Sequence, residues 1–288
     1  MVRPDSVPPF LALGEIDRIP GRTVLADARW YLDGRSGRAA YASGHLPGAV
    51  FVDLDRWLAG PATPQGGRNP LPAAEVFSEG MSSLGIGDAD TVVAYDDAGG
   101  VIAARLVWML RVTGRQAAVL DGGLSAYPGV LTTDEPHHAR ADFAVRPWPE
   151  EHLAGLGDLD ARRSVVVDAR DPDRFEGRTD PVDARPGHVP GAVNVPCRAN
   201  LDQDGRLLPL ERVRERVTGA GVHAAEDVVA YCGSGVTACH LLLTLDQLGM
   251  GHGRLFVGGW SAYGADPHRP VETGAAQRPD TRRPSSGW

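Results

Sequence analysis

Asp227-Val-Val-Ala-Tyr231-Cys232-Gly-Ser-Gly-Val-Thr-Ala-Cys239-His-Leu-Leu-Leu243 reads as a buried strand, a tight turn and a helix. Val228 to Tyr231 is a short run of β-formers, and Leu241, Leu242, Leu245 and Leu248 recur at helical spacing until Gly249, a helix-ending residue. Cys232 therefore ends a strand and precedes a helix N-terminus, where unpaired amide N–H groups and the helix dipole favour an anion such as a thiolate. Gly233 and Gly235 let the backbone curl so that successive amides can point at the sulfur. Cys197 and Cys239 have apolar or helical flanks and read as small buried residues. No packing demand explains a cysteine followed by Gly-Ser-Gly at such a turn, so Cys232 is the candidate nucleophile.

Outward from this turn the chain alternates strand and helix. Thr23–Ala28, Thr91–Tyr95 and Gln116–Leu120 read as strands. Between them lie a turn and strand over Gly44–Asp53 and helical patterns over Ala73–Leu84 and Val101–Val112. A Pro-, His- and Thr-rich stretch from Pro128 to Glu150 interrupts the pattern, which then resumes with a strand over Ser164–Asp168, a turn and strand over His188–Val195 and a helix over Leu210–Val217. Tyr95 and Tyr231, Gly122 and Gly258, and Tyr127 and Tyr263 are each 136 residues apart, so the second run repeats the first. The same offset lays Asp96 over Cys232, so the first copy lacks the candidate nucleophile. The expected fold class is α/β, two tandem domains each built on a mainly parallel sheet flanked by helices. Residues 1–135 form a catalytically silent first domain, 136–150 a linker, 151–273 the catalytic domain, and 274–288 a disordered tail.

Cys232-Gly-Ser-Gly-Val-Thr-Ala238, Asp168-Ala-Arg170, Gly187-His-Val-Pro-Gly-Ala192 and Gly258-Gly-Trp-Ser-Ala-Tyr263 together resemble the rhodanese superfamily, in the form found in 3-mercaptopyruvate sulfurtransferases. The resemblance implies two rhodanese-like domains and sulfur transfer through a cysteine persulfide on Cys232, held by Gly233, Gly235, Val236 and Thr237, with neither metal nor organic cofactor. It also implies a relay of Ser234 with a histidine and an acid of the other domain, for which His45 is the match and Asp33 the nearest candidate. His188 sits in the same Gly-His-x-Pro-Gly motif as His45, which favours a structural turn for both. Substrate-binding arginines are implied at Arg174 and at either Arg178 or Arg185, a guanidinium being suited to the carboxylate of an α-keto acid. Thiosulfate-preferring members carry basic residues where this chain has Gly233 and Ser234. The uncharged loop therefore points to 3-mercaptopyruvate as donor and to cyanide or a thiol, with a thioredoxin-like reductant among the candidates, as acceptor.

Composition narrows the partners. The net charge of -8 speaks against nucleic acid. All 29 basic residues are arginine, which removes lysine as a Schiff base. Three irregularly spaced cysteines point to a reducing compartment, the cytoplasm by default, and no apolar stretch approaches a membrane span. A cysteine phosphatase would need an arginine where Ala238 stands. A thiosulfate-preferring enzyme and a non-catalytic sulfur carrier are the alternatives.

Overall fold

A computed structural model describes residues 7–159, 163–183 and 185–275. The first half is a five-stranded, all-parallel sheet. Its strands are β1 (Phe10–Leu11), β2 (Thr23–Asp27), β3 (Val50–Phe51), β4 (Thr91–Tyr95) and β5 (Gln116–Leu120), in the order β1-β5-β4-β2-β3. The helices between them are α1 (Gly37–Ser43), α2 (Ala74–Ser83) and α3 (Ala104–Val112). The second half repeats this with β6 (Val165–Asp168), α4 (Pro172–Phe175), β7 (Val193–Asn194), α5 (Leu210–Gly219), β8 (Val228–Tyr231), α6 (Ala238–Gln247), β9 (Arg254–Leu255) and α7 (Gly259–Tyr263). Its parallel sheet has the order β7-β6-β8-β9. Central β4 and β8 are buried along their whole length, which is why both read as unbroken apolar runs rather than alternating ones.

The shared motifs hold the two halves in the same local geometry. Arg29 donates to the Asp27 carboxylate and to the Gly44 carbonyl, at 2.6 and 2.8 Å. Arg170 does the same with Asp168 and Gly187, at 2.6 and 2.7 Å. His45 stacks on Tyr41 and His188 on Phe175, both at 3.7 Å between ring centroids. The hydroxyls of Tyr95 and Tyr231 accept from Leu46 and Val189 N–H. The Asp-Ala-Arg and Gly-His-x-Pro-Gly motifs are thus a folding device that pins the strand-to-turn corner beside each central strand.

The halves are joined through α3 and α6, which pack on each other within one apolar cluster that includes Leu106 and Leu110 on one side and Leu241 and Leu245 on the other. Arg111 pairs with Asp246 at 2.9 Å, and Phe10 N–H donates to Gln247. Much of the stretch read as a linker packs along the first half as an extended strap. Phe143 is buried edge-on against Phe77, the Trp148 indole donates to the Pro72 carbonyl, and Ser78 donates to the Phe143 carbonyl. Most of the tail expected to be disordered, from residue 276 on, lies outside the described residues.

Candidate active site

Strand β8 delivers Cys232 to the carboxyl end of the second sheet, and six residues, Cys232 to Thr237, lie between the strand and the first turn of α6. Gly235 has φ +74° and a Cβ there would stand 2.5 Å from the Val257 carbonyl oxygen, so the curl requires glycine. Gly233 is not held to glycine by its backbone. Its φ is not positive, and a Cβ there would stand 2.9 Å from Arg68 Nη2 and 3.5 Å from both Nη atoms of Arg174. Cys232 is only 2 % exposed, yet it lines the floor of a cleft of about 510 Å³ between the two halves. Gly233, Ser234, Val236 and Thr237 share that floor, and Trp30 to Asp33, Asp97, Ala98 and Ile102 of the first half form the facing wall.

The first half shows what such a loop does with an anion. Asp96, at the position matching Cys232, is fully buried, and its two carboxylate oxygens accept backbone N–H groups of Ala98, Gly100, Ile102 and Ala103 at 2.7 to 2.8 Å. The parallel extends to the neighbouring turn: Leu124 N–H donates to the Asp96 carbonyl as Trp260 N–H donates to that of Cys232. In the second half the N–H groups of Ser234 and Val236, the counterparts of those of Ala98 and Gly100, donate to no backbone carbonyl among the described residues. Their amides remain available to a sulfur anion carried by Cys232.

Beneath the loop lies Arg105 of α3, fully buried, donating to the carbonyls of Leu58, Asn69 and Gly235 and to no carboxylate among the described residues. Burial lowers its pKa, while the nearby Cys239 and Cys232 thiols pull it back up. The first half thereby sets a positive charge under the Cys232 turn and ties the turn's shape to its own α3. Cys197 and Cys239 are both fully buried, and desolvation pushes each thiol up to about 12. Tyr31 on the facing wall is likewise pushed up to about 12, by burial and by its hydrogen bond to Asp97.

The predicted site residues separate into those the structure brings together and those it does not. Arg174 lines the cleft, its Nε and Nη2 donating to Asp180 and Asp183 at 3.1 and 2.7 Å. Arg178 points away, exposed and paired with Asp173 and Glu176. Arg185 is spent on the carbonyls of Asp266 and Arg269, fastening the segment after α7. Neither is among the residues lining the cleft, so neither supplies its second arginine. The structure does not bring His45 to Ser234 either. Its ring is buried against Tyr41, its two nitrogens face the Tyr41 and Asp134 carbonyls at 2.9 and 3.2 Å, and it does not line the cleft. Asp33 does line the cleft with Ser234, but it is exposed there and paired with Arg35 at 2.9 Å, whose N–H groups hold its carboxyl below the ordinary value. Arg68 and Arg198, also in the cleft, escaped sequence reading, because a lone arginine in a polar loop carries no pattern. Five arginines and three aspartates line the cleft, and Asp168, Asp180 and Asp183 stand behind three of those arginines.

Two parallel α/β units with a cysteine on a strand-to-helix loop define a class, and comparison with known proteins fixes it. The rhodanese-like domain pattern matches residues 17–128 and again 149–266. A Pseudomonas aeruginosa protein named "Probable 3-mercaptopyruvate sulfurtransferase" is 38 % identical over 87 % of this chain and 92 % of its own length. An Arabidopsis thaliana thiosulfate/3-mercaptopyruvate sulfurtransferase is 32 % identical over 86 % of this chain and 81 % of its own length. The structure of 3-mercaptopyruvate sulfurtransferase from Leishmania major superposes with a TM-score of 0.80 at 30 % identity, covering 91 % of this chain and 75 % of that one. The chain therefore belongs to the rhodanese family and is a sulfurtransferase of its tandem-domain kind.

Proposed function

We propose that this sulfurtransferase takes sulfur from 3-mercaptopyruvate and carries it as a persulfide on Cys232 to a thiol or cyanide acceptor. The observation that carries the reading is that an uncharged loop holds Cys232 in one cleft with Arg174. A guanidinium at that place suits the donor's carboxylate and leaves its thiol sulfur toward Cys232. The Cys232 thiolate attacks that sulfur, and the carbon–sulfur bond breaks with its electron pair left on carbon as the enolate of pyruvate. The thiol proton ends on that carbon, with the Ser234 hydroxyl placed in the cleft to pass it. Pyruvate leaves, the outer sulfur sits on Cys232 among the loop amides, and the acceptor's nucleophile attacks it, returning Cys232 as thiolate. A thioredoxin-like reductant is a fitting thiol acceptor. The division of labour belongs to the same reading, with a silent unit over 1–135 and a catalytic unit over 151–273. So does a cytoplasmic setting, which suits three free, buried cysteines.

Steady-state kinetics with both donors tests this. The expected result is a higher kcat/KM for 3-mercaptopyruvate than for thiosulfate. A clear preference for thiosulfate overturns the donor assignment and leaves sulfur transfer intact.

A further inference from the structure

We propose that Arg68, supplied by the silent half, is the second arm of a carboxylate clamp whose first arm is Arg174. This rests on the 3-mercaptopyruvate reading above and names the residue that completes it. Both guanidinium groups border Gly233, the residue next to Cys232, as the short distances to a Cβ at Gly233 record. Both also hold the same carboxylate. Arg68 Nη1 donates to Asp183 Oδ1, and Arg174 Nη2 donates to Asp183 Oδ2 at 2.7 Å. Asp183 is only 10 % exposed and does not line the cleft, whereas both arginines do. The aspartate therefore grips the two guanidinium groups from behind and leaves their other edges to the substrate. Toward Gly233 the arginines turn Arg68 Nη2, held to Asp183 only at 3.5 Å, and Arg174 Nη1, which has no hydrogen-bond partner among the described residues.

Arg68 is not a loose surface charge that happens to swing near. Its backbone N–H donates to Ser261 Oγ at 3.0 Å, across the junction between the halves. The preceding Gly67, at φ +77°, lies so close to the Gly258 carbonyl that a Cβ would stand 2.2 Å from its oxygen. The turn is thus seated on the second half by contacts that only glycine permits. It fills the vacancy left by Arg178 and Arg185, and the two arms come from different halves, so the clamp exists only where the halves meet.

The test uses the full chain with Arg68→Gln and Arg68→Lys, and with pyruvate as a carboxylate probe measured by calorimetry. Losing a charge-assisted bond, Arg68→Gln is expected to raise the KM for 3-mercaptopyruvate and the Kd of pyruvate by about 10- to 100-fold. Its kcat should stay within about three-fold, as for loss of uniform binding. Arg68→Lys keeps the charge without the fork and should fall between, and it stands in if the glutamine variant does not fold. An unchanged KM and pyruvate affinity in the variants would overturn the clamp. So would a fall in kcat and melting temperature with pyruvate affinity intact, which marks a purely structural role. If the unmodified enzyme prefers thiosulfate while Arg68→Gln still weakens pyruvate, the donor reading fails and the clamp stands.

Discussion

Replacing Asp96 by alanine removes a carboxylate whose two oxygens receive four buried amide N–H groups. A buried donor left without a partner costs about 1–3 kcal/mol, so four of them amount to about 4 kcal/mol at the least, even where water enters to satisfy some. Against a total stability of about 5–15 kcal/mol, that is a large share. At about 2–4 °C per kcal/mol for a chain of this size, the melting temperature should drop by about 8 °C or more. Asp96→Asn should recover only part of this, because its amide nitrogen would face two donors with a donor of its own. Scanning calorimetry of the three proteins decides the matter. At a temperature where all remain folded, kcat should be little changed, since Asp96 contacts loop backbone rather than reacting atoms. A fall of less than about 2 °C in Asp96→Ala would mean that the four amides are satisfied by other means, and would undo the comparison between this loop and the one around Cys232.

Cys232→Ser should fold and lose sulfur transfer, whereas iodoacetamide at pH 9 should label Cys232 alone, because burial keeps the Cys197 and Cys239 thiols protonated below about 12. Mass spectrometry finding the label or the added sulfur on either of those two would remove Cys232 as the carrier. Arg105→Met should lower stability by about 2–4 kcal/mol through the carbonyls of Leu58 and Asn69 it leaves without a donor. An unchanged urea midpoint would show that the loop does not depend on it.

Where an element buries an unbroken apolar run, the sequence located it: β4, β5 and β8 stand where Thr91–Tyr95, Gln116–Leu120 and Val228–Tyr231 were read. Helix α3 starts later than its apolar pattern, at Ala104 rather than Val101, because residues 98 to 103 turn their amides onto Asp96. The duplication, and the place of Asp96 opposite Cys232, were legible because an uninterrupted offset of 136 carried them. The cleft was legible in part. Cys232 and Arg174 belong to motifs, but Arg68 and Arg105 matter through what lies across the junction, and nothing in Gly-Gly-Arg-Asn-Pro or in an apolar helix announces that partner. His45 was offered to the relay by resemblance alone; its motif pointed to a structural turn, and the Gly-His-x-Pro-Gly corner does spend its histidine on stacking and carbonyl contacts in both halves. The strap over residues 128–149 has no periodicity, so its burial of Phe143 could not be read in advance.

The helices that join the halves, α3 and α6, are counterparts under the repeat, so the chain meets itself through the same surface twice. That is the form of an isologous dimer contact, with two-fold self-complementarity, written into one polypeptide. One copy alone would leave an apolar helix face bare, which makes pairing a requirement of folding rather than of chemistry. With both copies covalently joined, their loops have diverged. One carries Cys232, and the other closes on the carboxylate of Asp96 while Arg68 and Arg105 reach across to its neighbour.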